Sequence, residues 1–315
     1  MQSPKRTILL IGGTGQIGSE LERLLQPHTG VMVTTAGIDR GHPTLPWIYC
    51  DLKDATSIVQ MLQEVKPTIV INAAAYTSVD AAEDHPDEAM AVNGRAPAII
   101  AEELKKLNGI LIHYSTEYVY NGSKTTPWIE SDLVHPLNVY GKTKLEGDRA
   151  IQQIDIPYLI LRTSWIYSPN GSNFVTKILT MAEQKTDLQI VSDQIGAPTS
   201  ARVVAEVTYQ IVLQAGNNPY DFFRNKQGIV HVACAGYVSR FQFAEKVLEM
   251  ARSRGKRIKA TAVNPITSNQ YPQKARRPIN SCLDCGLLME RFGIALPRWE
   301  SALDESFPPD HSNER

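Results

Sequence analysis

The chain predicts a doubly wound α/β fold, and three observations carry that expectation. Short apolar runs alternate with helix-length segments through the first half. The runs are nearly continuous in apolar residues instead of alternating, as strands buried on both faces must be. The first of them leads into a glycine-rich turn at the mouth of a helix, Gly12-Gly13-Thr14-Gly15-Gln16-Ile17-Gly18. That order of elements gives a mostly parallel sheet covered by helices on each side.

Residues 7–11 form the first expected strand, and Ile17, Leu21, Leu24 and Leu25 give the following helix its inner face. Residues 31–35 predict a second strand; residues 48–50 predict a third, ending at Asp51-Leu52. Asp54 is placed to cap a helix through Val65, because its carboxylate can accept from the open N–H groups of the first turn. Residues 68–72 predict strand four, followed by the small-residue turn Ala73, Ala74 and Ala75. Helices at 86–92 and 95–107 lead to strand five at 110–115. The polar, proline-containing stretch 121–136 is a loop that delivers the chain to a helix carrying Tyr140, and residues 158–162 are strand six.

Past Arg162 the pattern loosens. Helices are expected at 174–182, 202–214, 241–252 and 282–292, with short strands at 188–191 and 229–232. We therefore divide the chain into a nucleotide-binding part, residues 1–165, and a smaller, mainly substrate-binding portion, residues 166–307. The second portion is expected to return a late strand to the first sheet. The tail 308–315 is expected to fray.

Composition narrows the function. The 315 residues contain 43% hydrophobic and 21% charged side chains and carry a formal charge of -1, so no global field gathers nucleic acid or a membrane surface. No run reaches the roughly 18 apolar residues of a membrane span. The apolar run after Met1-Gln2-Ser3-Pro4-Lys5-Arg6 is broken at once by glycines, and it reads as a strand, not a signal peptide. Four cysteines, at 50, 234, 282 and 285, make no dense disulfide framework, which fits a reducing cytoplasm. Cys282 and Cys285 have CxxC spacing, but no second pair or nearby histidine supports a metal site, and Leu283, Leu287 and Leu288 place them on an amphipathic helix.

Gly12, Gly15 and Gly18 let backbone N–H groups approach a pyrophosphate at the positive end of a helix. Strand two ends in Thr34-Thr35 without the acid that often holds a ribose 2′-hydroxyl, and Arg40 follows. That favours the 2′-phosphate of NADPH, with NADH the other option. Asp51 lies too far along for the ribose and suits the adenine amine.

The chemical site is predicted from Ser115-Thr116-Glu117-Tyr118, at the end of strand five, and from Tyr140 and Lys144. Four residues apart on a helix, Tyr140 and Lys144 share a face. A free phenol has a pKa of about 10, and an adjacent ammonium is expected to lower it. Thr116 would hold a ketone oxygen while Tyr140 gives it a proton, and Lys144 would bind the nicotinamide ribose. His113 reads as a satisfied core histidine.

These pieces resemble the extended short-chain dehydrogenase/reductases, with a Rossmann-like sheet, and more narrowly the dTDP-4-dehydrorhamnose reductase family. The likeness runs from about Thr7 to Ser306 and includes Val70-Ile71-Asn72-Ala73-Ala74-Ala75-Tyr76-Thr77, Leu161-Arg162-Thr163-Ser164-Trp165 and Asp193-Gln194-Ile195-Gly196-Ala197-Pro198-Thr199. The resemblance implies reduction of the C4 ketone of a dTDP-sugar, with Thr116, Tyr140 and Lys144 as the catalytic set. It assigns Gly12, Gln16, Ile17 and Gly18 to the pyrophosphate, Asp51 and Leu52 to adenine, and Ala73, Ala74 and Ala75 to the cofactor wall. Thr77, Val79, Asp80, Tyr118, Trp165 and Gln194 fall in the substrate pocket, with Asn173 and the segment around Arg277 near its nucleotide end. The basic group Lys274, Arg276 and Arg277 suits a diphosphate, and Trp165 a deoxysugar face. Glu117 stands where the family often has Asp, and Tyr76 where it often has His. Some members pair through Mg²⁺; its ligands are not identified here, and monomer or homodimer both remain open. Two rival readings are another sugar-nucleotide epimerase or dehydratase, and a partner-binding module like the β subunit of methionine adenosyltransferase.

Overall fold

The computed structural model describes residues 6–26, 31–39 and 45–307. The first half contains β1 (Arg6–Ile11), α1 (Gln16–Leu25), β2 (Val31–Gly37), β3 (Trp47–Tyr49), α2 (Ala55–Val65), β4 (Ile69–Asn72), α3 (Val79–Ala82), α4 (Pro86–Met90), α5 (Ala96–Leu107), β5 (Ile110–Thr116), α6 (Val139–Gln153) and β6 (Tyr158–Thr163). Then follow β7 (Ile166–Tyr167), α7 (Phe174–Gln184), β8 (Asp187–Val191), β9 (Ile195–Gly196), β10 (Thr199–Ser200), α8 (Ala201–Gln214), α9 (Pro219–Lys226) and β11 (Gly228–His231). The last elements are β12 (Val238–Ser239), α10 (Arg240–Ser253), β13 (Ala262–Ile266), β14 (Asn280–Ser281), α11 (Gly286–Phe292) and α12 (Trp299–Ser306).

Seven strands make one sheet in the order β11-β6-β5-β4-β1-β2-β3, and every pairing in it is parallel. Side chains alternate across it, as a pleated strand requires. Ile8 and Leu10 of β1 join Leu21 and Leu25 of α1 and Val204 and Ile211 of α8 on one face. Leu9 and Ile11 join Met61 of α2, Ile100 of α5 and Ile151 of α6 on the other. Each side chain removed from water in this way contributes about 1.5–3 kcal/mol. The sheet is thus apolar on both sides, which is why its strands show no alternation in the sequence.

The chain order reverses between β1 and β4, so the loops after these two strands open a crevice at their carboxyl ends. The later elements pack around a separate core built from α7, α10 and α12, with Phe243, Val247 and Trp299 at its centre. Between α9 and α10, β11 lies at the edge of the main sheet beside β6.

Two expectations need correction. The helix expected at 282–292 starts at Gly286. Residues 282–285 instead run as a bridge-and-turn segment: Leu283 pairs with Trp128, and Asp284 accepts the Gly286 N–H over 2.8 Å. Cys282 and Cys285 are free thiols, not residues of a helix face. The helices at 86–92 and 95–107 are nearly continuous, joined by a π-helical turn at Ala91–Arg95. Arg40 and the tail 308–315 lie outside the described residues. Among the described residues, no helix is long and apolar enough to cross a membrane, and no group of three or more His, Cys, Asp or Glu is arranged to hold a metal.

Candidate active site

The crevice begins with a loop that only small residues can form. Gly12 adopts φ +84°, and a Cβ there would lie within 2.9 Å of Ala74 on the opposite lip. Gly15 caps α1 without a side-chain bond, leaving the first amides of the helix bare toward the crevice. Ala73 binds back to β1 through its N–H on the Ile11 carbonyl over 2.9 Å, which fixes the alanine wall. A bare helix mouth facing a wall of alanines fits a pyrophosphate and the dinucleotide attached to it. Thr35 turns its hydroxyl to the Pro46 carbonyl over 3.3 Å, which leaves Thr34 as the half-buried hydroxyl of that strand end. Asp51 Oδ1 accepts the Lys53 N–H over 2.9 Å, and Leu52 is buried beside it.

Helix α6 begins at Asn138, whose side chain accepts the Gly141 N–H over 2.8 Å and donates to the Arg276 carbonyl over 2.8 Å. Tyr140, Lys144 and Asp148 follow at intervals of four, on the face turned to β5. Lys144 is buried and donates to the Tyr114 carbonyl over 2.6 Å. Burial pushes its pKa down to about 8, with Asp148 opposing. His113 is also buried and held neutral, far below the ordinary imidazole range, first by burial and then by Lys144. A neutral imidazole has one acceptor nitrogen. Yet the Asn72 amide faces Nδ1 over 3.2 Å and Lys144 faces Nε2 over 3.0 Å, an arrangement that an amine form of Lys144 satisfies better than an ammonium.

Tyr140 departs from the expectation drawn from its spacing. Its phenol lies above the ordinary range, raised first by loss of water and then by the negative charge of Glu117. It lies beside Thr116 and meets the ring of Tyr118 edge-on, 5.6 Å between centroids. Thr116 donates to Glu117 Oε2 over 2.7 Å. Glu117 is 3% exposed, and burial holds its carboxyl up to about 7 against Thr116, the Trp165 N–H and Arg240, all of which favour the charged form.

Trp165 follows β6 in the left-handed region, φ +47°, a conformation costing on the order of 1–3 kcal/mol in a non-glycine residue. The indole lies so close to Gly196 that a Cβ there would come within 2.6 Å of its ring. The Arg240 guanidinium sits 3.6 Å from the ring centroid. Arg240 also reaches Tyr118 and is lowered to about 10 by burial. The sequence offered no signal for Arg240: a lone arginine at a helix start has no spacing to betray it. Gln194 is buried nearby; its carbonyl accepts the Arg240 N–H over 3.1 Å and its side chain donates to Ser268 over 3.1 Å.

The remaining predicted residues divide into two places. Arg277 grips Asp80 with two N–H groups, 3.0 Å and 2.6 Å, and reaches Tyr118. Lys274 pairs with Asp84. The basic group is therefore neutralised in part by the helix that begins at Val79, with Thr77 exposed just before it. Asn173 lies elsewhere. It caps α7 and donates to the side chain of Gln16 over 3.1 Å, which ties it to the glycine loop instead of the Arg277 segment.

Comparisons with known proteins agree with this geometry. The model of the RmlD substrate binding domain matches residues 6–310. A dTDP-4-dehydrorhamnose reductase of Escherichia coli K12 is 36% identical over 294 residues, 93% of this chain and 94% of that protein. Among solved structures, a dTDP-4-dehydrorhamnose reductase of Clostridium acetobutylicum superposes with a TM-score of 0.81 at 28% identity, covering 95% of this chain and 98% of its own. One from Bacillus anthracis, solved in complex with NADP, gives 0.81 at 26% identity over 96% and 99%. With the glycine loop, the Thr116–Tyr140–Lys144 site and these matches along nearly its whole length, the chain belongs to the dTDP-4-dehydrorhamnose reductase family of the extended short-chain dehydrogenase/reductases.

Proposed function

We propose that this protein reduces the C4 ketone of dTDP-4-dehydro-L-rhamnose to give dTDP-L-rhamnose, using NADPH or NADH. What supports the reading is helix α6, which carries Tyr140 and Lys144, packed on β5, where Thr116 ends the strand, in the same sheet whose β1 leads into the glycine loop facing Ala74. A bound reduced nicotinamide supplies the hydride. Gly12, Thr14, Gly15, Gln16, Ile17 and Gly18 hold the pyrophosphate, Asp51 and Leu52 the adenine, and Ala73, Ala74 and Ala75 the flat side of the cofactor. The Thr34-Thr35 strand end, which carries no acid, supports NADPH as the preferred form.

Tyr140 gives its proton to the ketone oxygen as charge develops there, and Thr116 donates to the same oxygen. Lys144 holds ribose hydroxyls with the donors it does not commit to Tyr114. Trp165 presents a flat apolar face to the deoxysugar, Gln194 and Tyr118 border it, and Thr77, Val79 and Asp80 close the side formed by α3. Arg277, oriented by Asp80, and Arg240 supply planar cationic donors of the kind a diphosphate takes.

The test is a coupled assay that supplies dTDP-4-dehydrorhamnose and follows both loss of NADPH absorbance and the sugar product. Tyr140→Phe should retain its fold and coenzyme affinity while losing about 10²–10⁴-fold in turnover, the usual worth of a positioned proton donor. Unchanged turnover in that variant removes Tyr140 from the chemistry. A wild-type protein that keeps nucleotide bound yet consumes no NADPH points to an epimerase or dehydratase instead.

A further inference from the structure

Thr116 has one hydroxyl proton, and the structure commits it. The hydroxyl donates to Glu117 Oε2 over 2.7 Å, and the same oxygen accepts the Tyr118 N–H over 3.2 Å. The Tyr140 phenol lies beside it. A hydroxyl has one donor and two acceptor positions. The proton that Thr116 would give to the ketone is thus held on the carboxylate, and the Thr116 oxygen has one acceptor position left for the phenol.

Adding a proton to Glu117 reverses that chain. A neutral carboxyl donates to the Thr116 oxygen, which with the Tyr118 N–H fills both acceptor positions. Thr116 then has its own proton free, and Tyr140 no longer has an acceptor on Thr116. We infer that Glu117 is a proton-operated positioning residue that turns the Thr116 and Tyr140 hydroxyls toward the substrate when protonated and holds both back when ionised. The inference rests on the reductase reading above and adds a control to it. The switch takes up one proton from solvent and changes no bond to carbon.

The surroundings place the switch in a useful range. Glu117 is buried and held near neutrality, with the Arg240 guanidinium, the Trp165 N–H, Tyr118 and Tyr140 facing it, and Arg277 and Asp80 beyond Tyr118. Arg240 favours the ionised form, and the loss of water favours the neutral one. Ionised Glu117 also raises the pKa of Tyr140, so the protonated state both frees the phenol and makes it a better acid.

The experiment is kcat against pH, from about 5.5 to 9, for the wild type, Glu117→Gln and Arg240→Met, with nucleotide affinity and thermal midpoint checking each fold. Wild-type kcat should fall about tenfold per pH unit above neutrality. Glu117→Gln places an amide where the neutral acid donates, with its oxygen toward the Trp165 N–H. It should turn over within a few-fold of the wild-type acid plateau and lose that limb. Arg240→Met removes the cation that favours ionisation, so the limb should move up by about one unit. A limb that persists in Glu117→Gln, a folded Glu117→Gln that is inactive at every pH, or a limb that stays put or moves down in Arg240→Met overturns the switch. A wild type that consumes no NADPH at any pH fails the reductase reading itself, and the two failures are thereby distinguished.

Discussion

Replacing Arg162 by Met should expose the strongest electrostatic constraint near the site. Arg162 on β6 meets Asp148 on α6 through Nε and Nη2, 3.2 Å and 3.1 Å from the same oxygen, with side chains 2% and 0% exposed. That oxygen also accepts the Ser115 hydroxyl over 2.9 Å, so one carboxylate ties the catalytic helix to β5 and β6. The guanidinium continues to the Tyr120 hydroxyl over 3.0 Å, which meets His231 over 2.8 Å. Removing the cation leaves a buried carboxylate without compensation, a loss of about 3–5 kcal/mol. The exposed pair Arg149–Glu146 should give no more than about 1 kcal/mol when Arg149 is changed to Ala. Urea unfolding of the two variants measures the contrast. Asp148→Asn in the same background should recover at least about 2 kcal/mol, because it removes the stranded charge and keeps an acceptor for Ser115. A loss near 1 kcal/mol, or strict additivity in the double variant, would refute the reasoning.

Two further outcomes test the rest of the site. Gly18→Ala puts a Cβ 2.0 Å from the Gly12 carbonyl oxygen, a backbone clash that must move the loop, and NADPH affinity should fall by more than about tenfold in a fluorescence titration; an unchanged Kd would remove the cradle. Lys144 has a folded pKa of about 8, below its ordinary 10.5, so its charged form strains the fold below pH 8 and is relieved as pH rises toward 10.5. The stability of the wild type relative to Lys144→Met should therefore improve between pH 7 and pH 10, by up to about 3 kcal/mol, and a difference independent of pH would show that Lys144 is not desolvated.

The sheet was legible because burial on both faces leaves its mark within each strand, in three to seven consecutive residues. The second portion was not, because β7, β9, β10, β12 and β14 are each two residues long and set by partners far along the chain. Residues 282–285 imitated a helix for a related reason. Leu283, Leu287 and Leu288 do face apolar neighbours, but Leu283 does so through a bridge to Trp128 and not through a helix face. In the site, Thr116, Tyr140 and Lys144 were legible as a strand end and an i, i+4 pair. Arg240 and Arg162 had no comparable signature. Arg240 acts on Trp165, and Arg162 on Tyr120, across distances in sequence that no local period encodes.

What spacing could not supply was the direction of a charge. Sharing a helix face puts Lys144 near Tyr140, but its nitrogen is drawn to the Tyr114 carbonyl and the His113 ring, on the β5 side. The phenol instead loses its water and then feels the charge of Glu117, both of which raise it. The two groups therefore answer to different neighbours in a way the motif hides. Lys144 is desolvated and turned to the strand, while the charge that acts on Tyr140 is the carboxylate beside Thr116. A buried carboxylate acts strongly on the phenol because little water lies between them to screen it.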